Sequence, residues 1–190
     1  DKSFEAILIT TKVVEMKEQK NGVKVTFEDR KGEKQNKIFD KVLVSIGRKP
    51  NSDKLGLDET SIKINDKGFI EVDAQQRTAE KHIFAIGDLA GEPMLAHKAY
   101  AEAVVAAEAA AGQKSIFDPR AIPAVVFTDP EIAWCGLTET EAADRDIKVQ
   151  TAKLPWRGNG RTLSLGREDG MTKLIIDPET DRLLGMAVVG

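Results

Sequence analysis

The chain is poor in the residues that usually announce chemistry. Its 190 residues include one cysteine, Cys135, two histidines and one tyrosine. A single thiol excludes an internal disulfide framework and fits a reducing compartment. Cys135 stands in the apolar run Ile132-Ala133-Trp134-Cys135, the setting of a buried, inert thiol rather than an activated nucleophile. No apolar run approaches the roughly 20 residues that cross a bilayer. The opening residues are polar, lack Met and show no signal-peptide pattern. A net charge of −3 gives no basis for binding nucleic acid or a membrane surface. No metal-ligand pattern is present. What remains is an ordinary globular composition, long enough for one good core or two small ones.

Against that background, residues 78–112, TAEKHIFAIGDLAGEPMLAHKAYAEAVVAAEAAAG, organise the chain. His82 to Ile86 reads as a short buried strand. Gly87 permits a tight turn, and Asp88 puts a carboxylate at the carboxyl end of the strand, where open α/β sheets place their ligand crevices. An Ala-rich helix begins near Leu95, with Ala96 and His97 in its first turn, and ends at Gly112, a good C′ residue. Its first N–H groups and positive dipole end point back toward the same crevice. One segment therefore offers an acceptor for hydroxyls beside donors for an anion. His97 has no carboxylate placed to orient it as a base, so packing, with only its backbone N–H in use, is the expectation. His82 reads as structural.

Taken in order, Phe4 to Ile9 is a strand pattern. Val13 to Glu18 and Val23 to Glu28 flank Asn21-Gly22, a hairpin signal, and Ile38-Phe39 adds a third strand to an antiparallel meander. Lys41 to Gly47 reads as a buried strand ending in glycine, followed by an extended turn at Arg48 to Asn51. Gly47 allows close approach to the backbone, and Arg48 reads either as a solvated strand end or as a partner for phosphate or carboxylate. Ile62 to Ile64 and Phe69 to Val72 flank a turn at Asn65 to Gly68. Beyond Pro119, strands are expected at Ile122 to Phe127, Ile132 to Leu137, Ile147 to Leu154, Met171 to Ile176 and Leu183 to Val189. A capping box, Thr138-Glu139-Thr140-Glu141, starts a short helix to about Arg145, and Pro155 to Arg161 reads as a loop. This last region is an α+β domain on an antiparallel sheet. Both ends fall in strand patterns, which predicts that the 190 residues are a piece of a longer chain.

The ordered motifs VLVSIGRKPN, GFIEVD, RTAEKHIFAIGDLAGEPMLAHKAYAEA, PAVVFTDPEIAWCGLTETEA, LPWRGNGR and GMTKLIID are more specific than any one of them. Together they resemble, over essentially the whole chain, the C-terminal half of the flavin disulfide reductase family, in its dihydrolipoamide dehydrogenase branch. The same family includes glutathione reductase and mercuric reductase. The resemblance implies α/β plus α+β architecture: parts of two Rossmann-like domains followed by an antiparallel dimerisation domain, truncated. Residues 1–50 would be the tail of the NAD-binding domain, 51–118 the returning part of the FAD-binding domain, and 119–190 an incomplete interface domain.

It also implies cofactors and roles. Asp88 matches the carboxylate that holds a ribityl hydroxyl of FAD. Met94, Leu95, Ala96 and His97 match the segment near the flavin pyrimidine edge, where the helix dipole favours negative charge on the reduced ring. Ser45, Ile46, Gly47 and Arg48 match a strand end lining the NAD site, and Val13 a position near the adenine. The implied partners are a second copy, as a homodimer, and the lipoyl domain of a 2-oxo acid dehydrogenase complex. The implied place is the bacterial cytoplasm or, alternatively, the mitochondrial matrix. The implied reaction reoxidises protein-bound dihydrolipoamide with NAD through FAD and a redox disulfide. The departures are as informative. The chain has no G-x-G-x-x-G, no C-x-x-x-x-C pair and no His-Pro…Glu acid–base pair, so no catalytic residue is expected in it and the isolated chain is predicted inactive. Two alternatives stay open: a mercuric reductase-like or soluble transhydrogenase-like relative, or a non-catalytic dimerisation fragment.

Overall fold

The computed structural model describes residues 4–190. They divide into two compact units, with the break between Arg48 and Lys49.

The first unit is a three-stranded antiparallel meander, β1 (Lys12–Gln19), β2 (Gly22–Glu28) and β3 (Lys34–Phe39), in that spatial order. The expected hairpin forms one residue earlier than the Asn-Gly signal: Gln19 pairs with Gly22, so Lys20 and Asn21 make the two-residue turn and Gly22 opens β2. Gly22 has φ 130°, and a Cβ there would run into the Phe39 carbonyl oxygen. β2 buries the adjacent Val25 and Thr26, while Phe27 and Phe39 meet edge to face at 6.0 Å. Two expected strands do not form. Phe4 to Ile9 and Lys41 to Gly47 are irregular and exposed, Leu43 and Ile46 at 92% and 93%. Their β-branched composition fits a sheet interior. A strand also needs neighbours to take its backbone hydrogen bonds, and among the described residues none pairs with them.

The second unit begins with a small core of Ile62, Ile70 and Ala85, sided by Leu57, Val72, Ile83 and Leu89. The expected hairpin at Asn65 to Gly68 is present as a turn with a single antiparallel bridge, Ile64 to Ile70. Helix α1 (Ala96–Ala110) follows. A five-stranded antiparallel sheet completes the unit: β4 (Ala124–Val126), β5 (Ile132–Gly136), β6 (Gln150–Pro155), β7 (Met171–Ile176) and β8 (Leu183–Val189), in the order β4-β5-β8-β7-β6. All five expected strands are there: β7 and β8 with the expected bounds, β4, β5 and β6 with shifted ends.

Helix α2 (Glu139–Asp144) carries the expected capping box. Thr138 Oγ1 accepts from the Glu141 N–H at 3.2 Å, and Glu141 Oε2 accepts from the Thr138 N–H at 2.9 Å. The Thr138 backbone N–H, then its hydroxyl, hold the Glu141 carboxyl below its ordinary value of 4.5. A carboxyl whose folded pKa is depressed stabilises fully above the unfolded value, and that stability is lost as pH falls through the lower folded value. The melting temperature of the protein is therefore expected to fall more steeply below pH 4.5 than that of the Glu141→Ala variant, measured by circular dichroism.

One helix was not legible. Residues 160–165 form α3 (Gly160–Leu165), which starts at the end of the expected loop Pro155 to Arg161 and runs past it. Its signals are at the ends: Asn159 Oδ1 accepts from the Arg161 N–H at 2.9 Å, and Gly166 closes it with φ 67°.

The protein exposes 14688 Å². Two separate compact units of these sizes would expose roughly 10,500 Å². Part of the excess is apolar, including Tyr100 and Val104 on the outer face of α1 and Trp134, Val126 and Met186 on the sheet. Among the described residues no helix is long and apolar enough to cross a membrane.

Candidate functional site

The site is built on the turn before α1. Residues 76–86 run out and back as a narrow loop rather than the expected strand His82 to Ile86. One antiparallel bridge joins Arg77 to Phe84, and the Ala85 N–H donates to the Gln76 carbonyl at 3.1 Å. The Arg77 guanidinium lies 4.6 Å from the Phe84 ring centre and donates to the carbonyls of Lys81 and Ala109. The loop is thus fastened to the far end of α1 by a stacked, doubly hydrogen-bonded cation.

This loop delivers Gly87. Its φ is 69°, and a Cβ would stand 3.0 Å from the Ala99 Cβ on α1. Backbone conformation and space both require glycine there. Residues Gly87–Leu89 make one 3-10 turn, with the Ala90 N–H donating to the Gly87 carbonyl. Asp88, half-buried, is the middle residue. Leu89 returns to the core, its carbonyl accepting from the Ile70 N–H at 2.8 Å.

Helix α1 starts after Leu95 with no side-chain cap. The first intrahelical bond is the Ala99 N–H to the Leu95 carbonyl. The Leu95 N–H is taken by the Pro93 carbonyl at 3.0 Å. The helical donors left at this end are those of Ala96, His97 and Lys98; Ala96 and His97 are exposed, while Met94 and Leu95 are half-buried beside them.

What sequence reasoning missed is the device that joins turn to helix. Lys98 and Glu102, 5% and 4% exposed, form an ion pair of 2.7 Å across one turn of α1. Glu102 Oε2 accepts the Gly87 N–H at 2.6 Å. Lys98 Nζ lies 3.4 Å from the Gly87 carbonyl oxygen and 3.2 Å from that of Gly91. Two buried charges offset their desolvation only when further hydrogen bonds satisfy them. Here both carboxylate oxygens are used, and the ammonium has a partner for each of its donors. A hint was available. In isolated helices Glu before Lys is the better order, and Lys near a helix start opposes the dipole. A Lys-to-Glu pair inside an alanine-rich helix therefore answers to something outside the helix.

His97 is more than a packed side chain. Its Nε2 is 2.7 Å from the Pro123 carbonyl. A carbonyl only accepts, so Nε2 carries the hydrogen. The ring thus links the first turn of α1 to the residue before β4, correcting the expectation that only its backbone N–H is used. An apolar cavity of about 260 Å³ opens beside it, lined by Val125, Trp134, Cys135 and Met186 among others. Cys135 is half-buried rather than buried, because its strand face borders that cavity.

The other predicted residues lie in the first unit. Val13 sits exposed on β1, and Ser45, Ile46, Gly47 and Arg48 form an exposed irregular segment rather than a strand end. Gly47 has φ 125° with open space around its Cβ position.

Residues 6–103 match the family model of the pyridine nucleotide-disulphide oxidoreductases, and residues 122–190 match the model of that family's dimerisation domain. The chain belongs to this family. Similar curated relatives are the dihydrolipoyl dehydrogenases of Vibrio parahaemolyticus, 45% identical over 97% of the chain, and Haemophilus influenzae, 44% identical over 100%. The Staphylococcus aureus dihydrolipoyl dehydrogenase is 48% identical over 91%. The chain spans 39% of the length of the first two and 37% of the third. Among solved structures, LpdA from Mycobacterium tuberculosis superposes with TM-score 0.80 at 29% identity, over 95% of this chain and 39% of that one. The HOCl-induced flavoprotein disulfide reductase RclA from Escherichia coli does so with TM-score 0.81 at 25% identity, over 94% and 40%. The fold class of this pyridine nucleotide-disulphide oxidoreductase is the expected one: parts of its dinucleotide-binding domains followed by an antiparallel-sheet dimerisation domain.

Proposed function

We propose that this chain is the flavin-holding and dimer-forming part of a dihydrolipoyl dehydrogenase, an FAD- and NAD-dependent enzyme that reoxidises protein-bound dihydrolipoamide to lipoamide. The observation that carries this reading is the fastening of Gly87, the residue before Asp88, to α1 through Glu102 and Lys98, in a chain 44–48% identical to dihydrolipoyl dehydrogenases. A carboxylate and two backbone donors on one support suit a ligand with hydroxyls at one end and an electron-rich heterocycle at the other. FAD is such a ligand, and when bound it supplies two-electron transfer between thiols and a nicotinamide. Asp88 would accept a ribityl hydroxyl. The N–H groups of Ala96 and His97 would meet the pyrimidine edge, with Met94 and Leu95 as its wall, and the dipole of α1 would favour negative charge there. Val13 and Ser45 to Arg48 would border the NAD site.

In this reading residues 1–50 close the NAD domain, 51–118 return to the FAD domain and 119–190 belong to the interface domain. The apolar faces of α1 and of the sheet are covered by the rest of the enzyme and by a second copy. The partner is the lipoyl domain of a 2-oxo acid dehydrogenase complex, and the bacterial relatives favour the bacterial cytoplasm as the place.

The test is direct. The full-length protein is expected to purify yellow and to reduce NAD with dihydrolipoamide, whereas the 190-residue chain, which has no thiol pair, shows no turnover. Asp88→Asn in the full-length protein is expected to raise the FAD dissociation constant about ten-fold or more, the loss that follows from a charge-assisted hydrogen bond. A full-length protein that stays colourless after incubation with FAD overturns the reading.

A further inference from the structure

We infer that Lys98 and Glu102 are positioning residues for the cofactor, acting through the Gly87 peptide on the aim of Asp88. The inference rests on the flavin reading above and adds a cause for the site's rigidity. Gly87 is held through both of its peptide groups: Glu102 takes the N–H of the Ile86–Gly87 peptide at 2.6 Å, and Lys98 faces the carbonyl oxygen of the Gly87–Asp88 peptide at 3.4 Å. The next residue in the chain is Asp88. With φ at 69° in Gly87, a small rotation of the Gly87–Asp88 peptide swings the Asp88 Cα–Cβ bond directly. Lys98 also reaches the Gly91 carbonyl at 3.2 Å, so the far side of the turn is tied to the same ammonium. Both side chains grow from the helix that presents the Ala96 and His97 donors. The ion pair therefore fixes one half of the site against the other.

A helix of this length has no need of such a pair for its own stability. A buried ion pair is often matched or bettered by apolar residues of similar volume. Its retention here, wrapped on the peptides that flank Gly87, is accounted for by what they carry. The binding gain comes from preorganisation: a carboxylate already aimed loses less freedom when the ligand arrives.

Affinity and stability separate in the experiment, which uses the full-length protein with FAD as the probe. Lys98→Met and Glu102→Leu alone each leave one buried charge without its partner, and both are expected to lower the melting temperature as well as FAD affinity. The double variant Lys98→Met/Glu102→Leu removes both charges. It is expected to melt above either single variant, though below the unaltered apoprotein because the buried Gly87 N–H loses its acceptor, and to bind FAD about ten-fold more weakly or worse. Adding Asp88→Asn to the double variant is expected to cost far less affinity than Asp88→Asn alone, because the carboxylate is no longer aimed. Wild-type FAD affinity in the double variant, additive losses with Asp88→Asn, or failure of the double variant to fold would each overturn the inference, the last by making the pair structural. The two levels remain distinguishable. If Asp88→Asn alone leaves FAD affinity unchanged, the flavin reading of the site fails. If Asp88→Asn weakens binding and the double variant does not, only the positioning role fails.

Discussion

Gly185→Ala is expected to destabilise the second unit by about 3 kcal/mol or more, the upper end for forcing a methyl group into packed surroundings. The cause lies in the pairing of β5 with β8. Gly136 stands opposite Gly185 in that ladder, and the Leu137 N–H donates to the Leu184 carbonyl where the chain leaves β5. A Cβ on Gly185 would overlap the Leu137 carbonyl oxygen and crowd its nitrogen and carbonyl carbon. Those are backbone atoms and cannot rotate away as a side chain can. Relief requires prising β8 from β5 at the point where α2 begins. Equilibrium urea unfolding followed by tryptophan fluorescence measures the effect. A Gly185→Ala variant within 0.5 kcal/mol of the parent, about the size of an ordinary surface change, would show that the ladder is loose there.

The second large effect belongs to Lys98. Lys98→Met is expected to cost about 3–5 kcal/mol, the range for breaking a buried ion pair by removing one partner. Glu102, 4% exposed, would then keep its charge without its cation. The same denaturation experiment on Lys98→Met/Glu102→Leu is expected to recover part of the loss, since no charge stays behind although the Gly87 N–H loses its acceptor. A single-variant loss below 1 kcal/mol, typical of exposed pairs, would mean that water reaches the pair.

How legible this molecule is from sequence depends on where each element finds its hydrogen-bond partners. The β1–β2 hairpin, the capping box of α2, and α1 with its Gly112 stop carry their signals within a few residues, and they form where expected, the hairpin turn one residue early. The five strands of the larger sheet also form, because all their partners lie between residues 124 and 189. Lys41 to Gly47 and Phe4 to Ile9 have strand composition but no partner among the described residues, so composition alone misleads there. His82 to Ile86 is intermediate: the Arg77 to Phe84 bridge supplies one pairing, and the segment stays a loop that still delivers Gly87 and Asp88 to the expected place. That Asp88 stands in a turn just ahead of the helix start at 94–97 was legible, because a Gly-Asp turn before a helix is a local pattern; the cofactor roles of these residues come from the family resemblance alone. The roles of Lys98, Glu102 and the His97 ring were not. Each depends on a contact with a segment that sequence distance does not reveal: the Gly87 peptide for the ion pair, and the Pro123 carbonyl for the imidazole.

The division after Arg48 has a spectroscopic consequence. The chain's two tryptophans, Trp134 and Trp156, and its one tyrosine, Tyr100, all fall in the second unit. The meander of the first unit holds phenylalanine as its sole aromatic type, so it is nearly silent in the near ultraviolet. Indole emission therefore follows the helix-and-sheet unit alone, while far-ultraviolet dichroism sums both. A gap between the two melting curves would read out the meander by subtraction, with no label and no mutation.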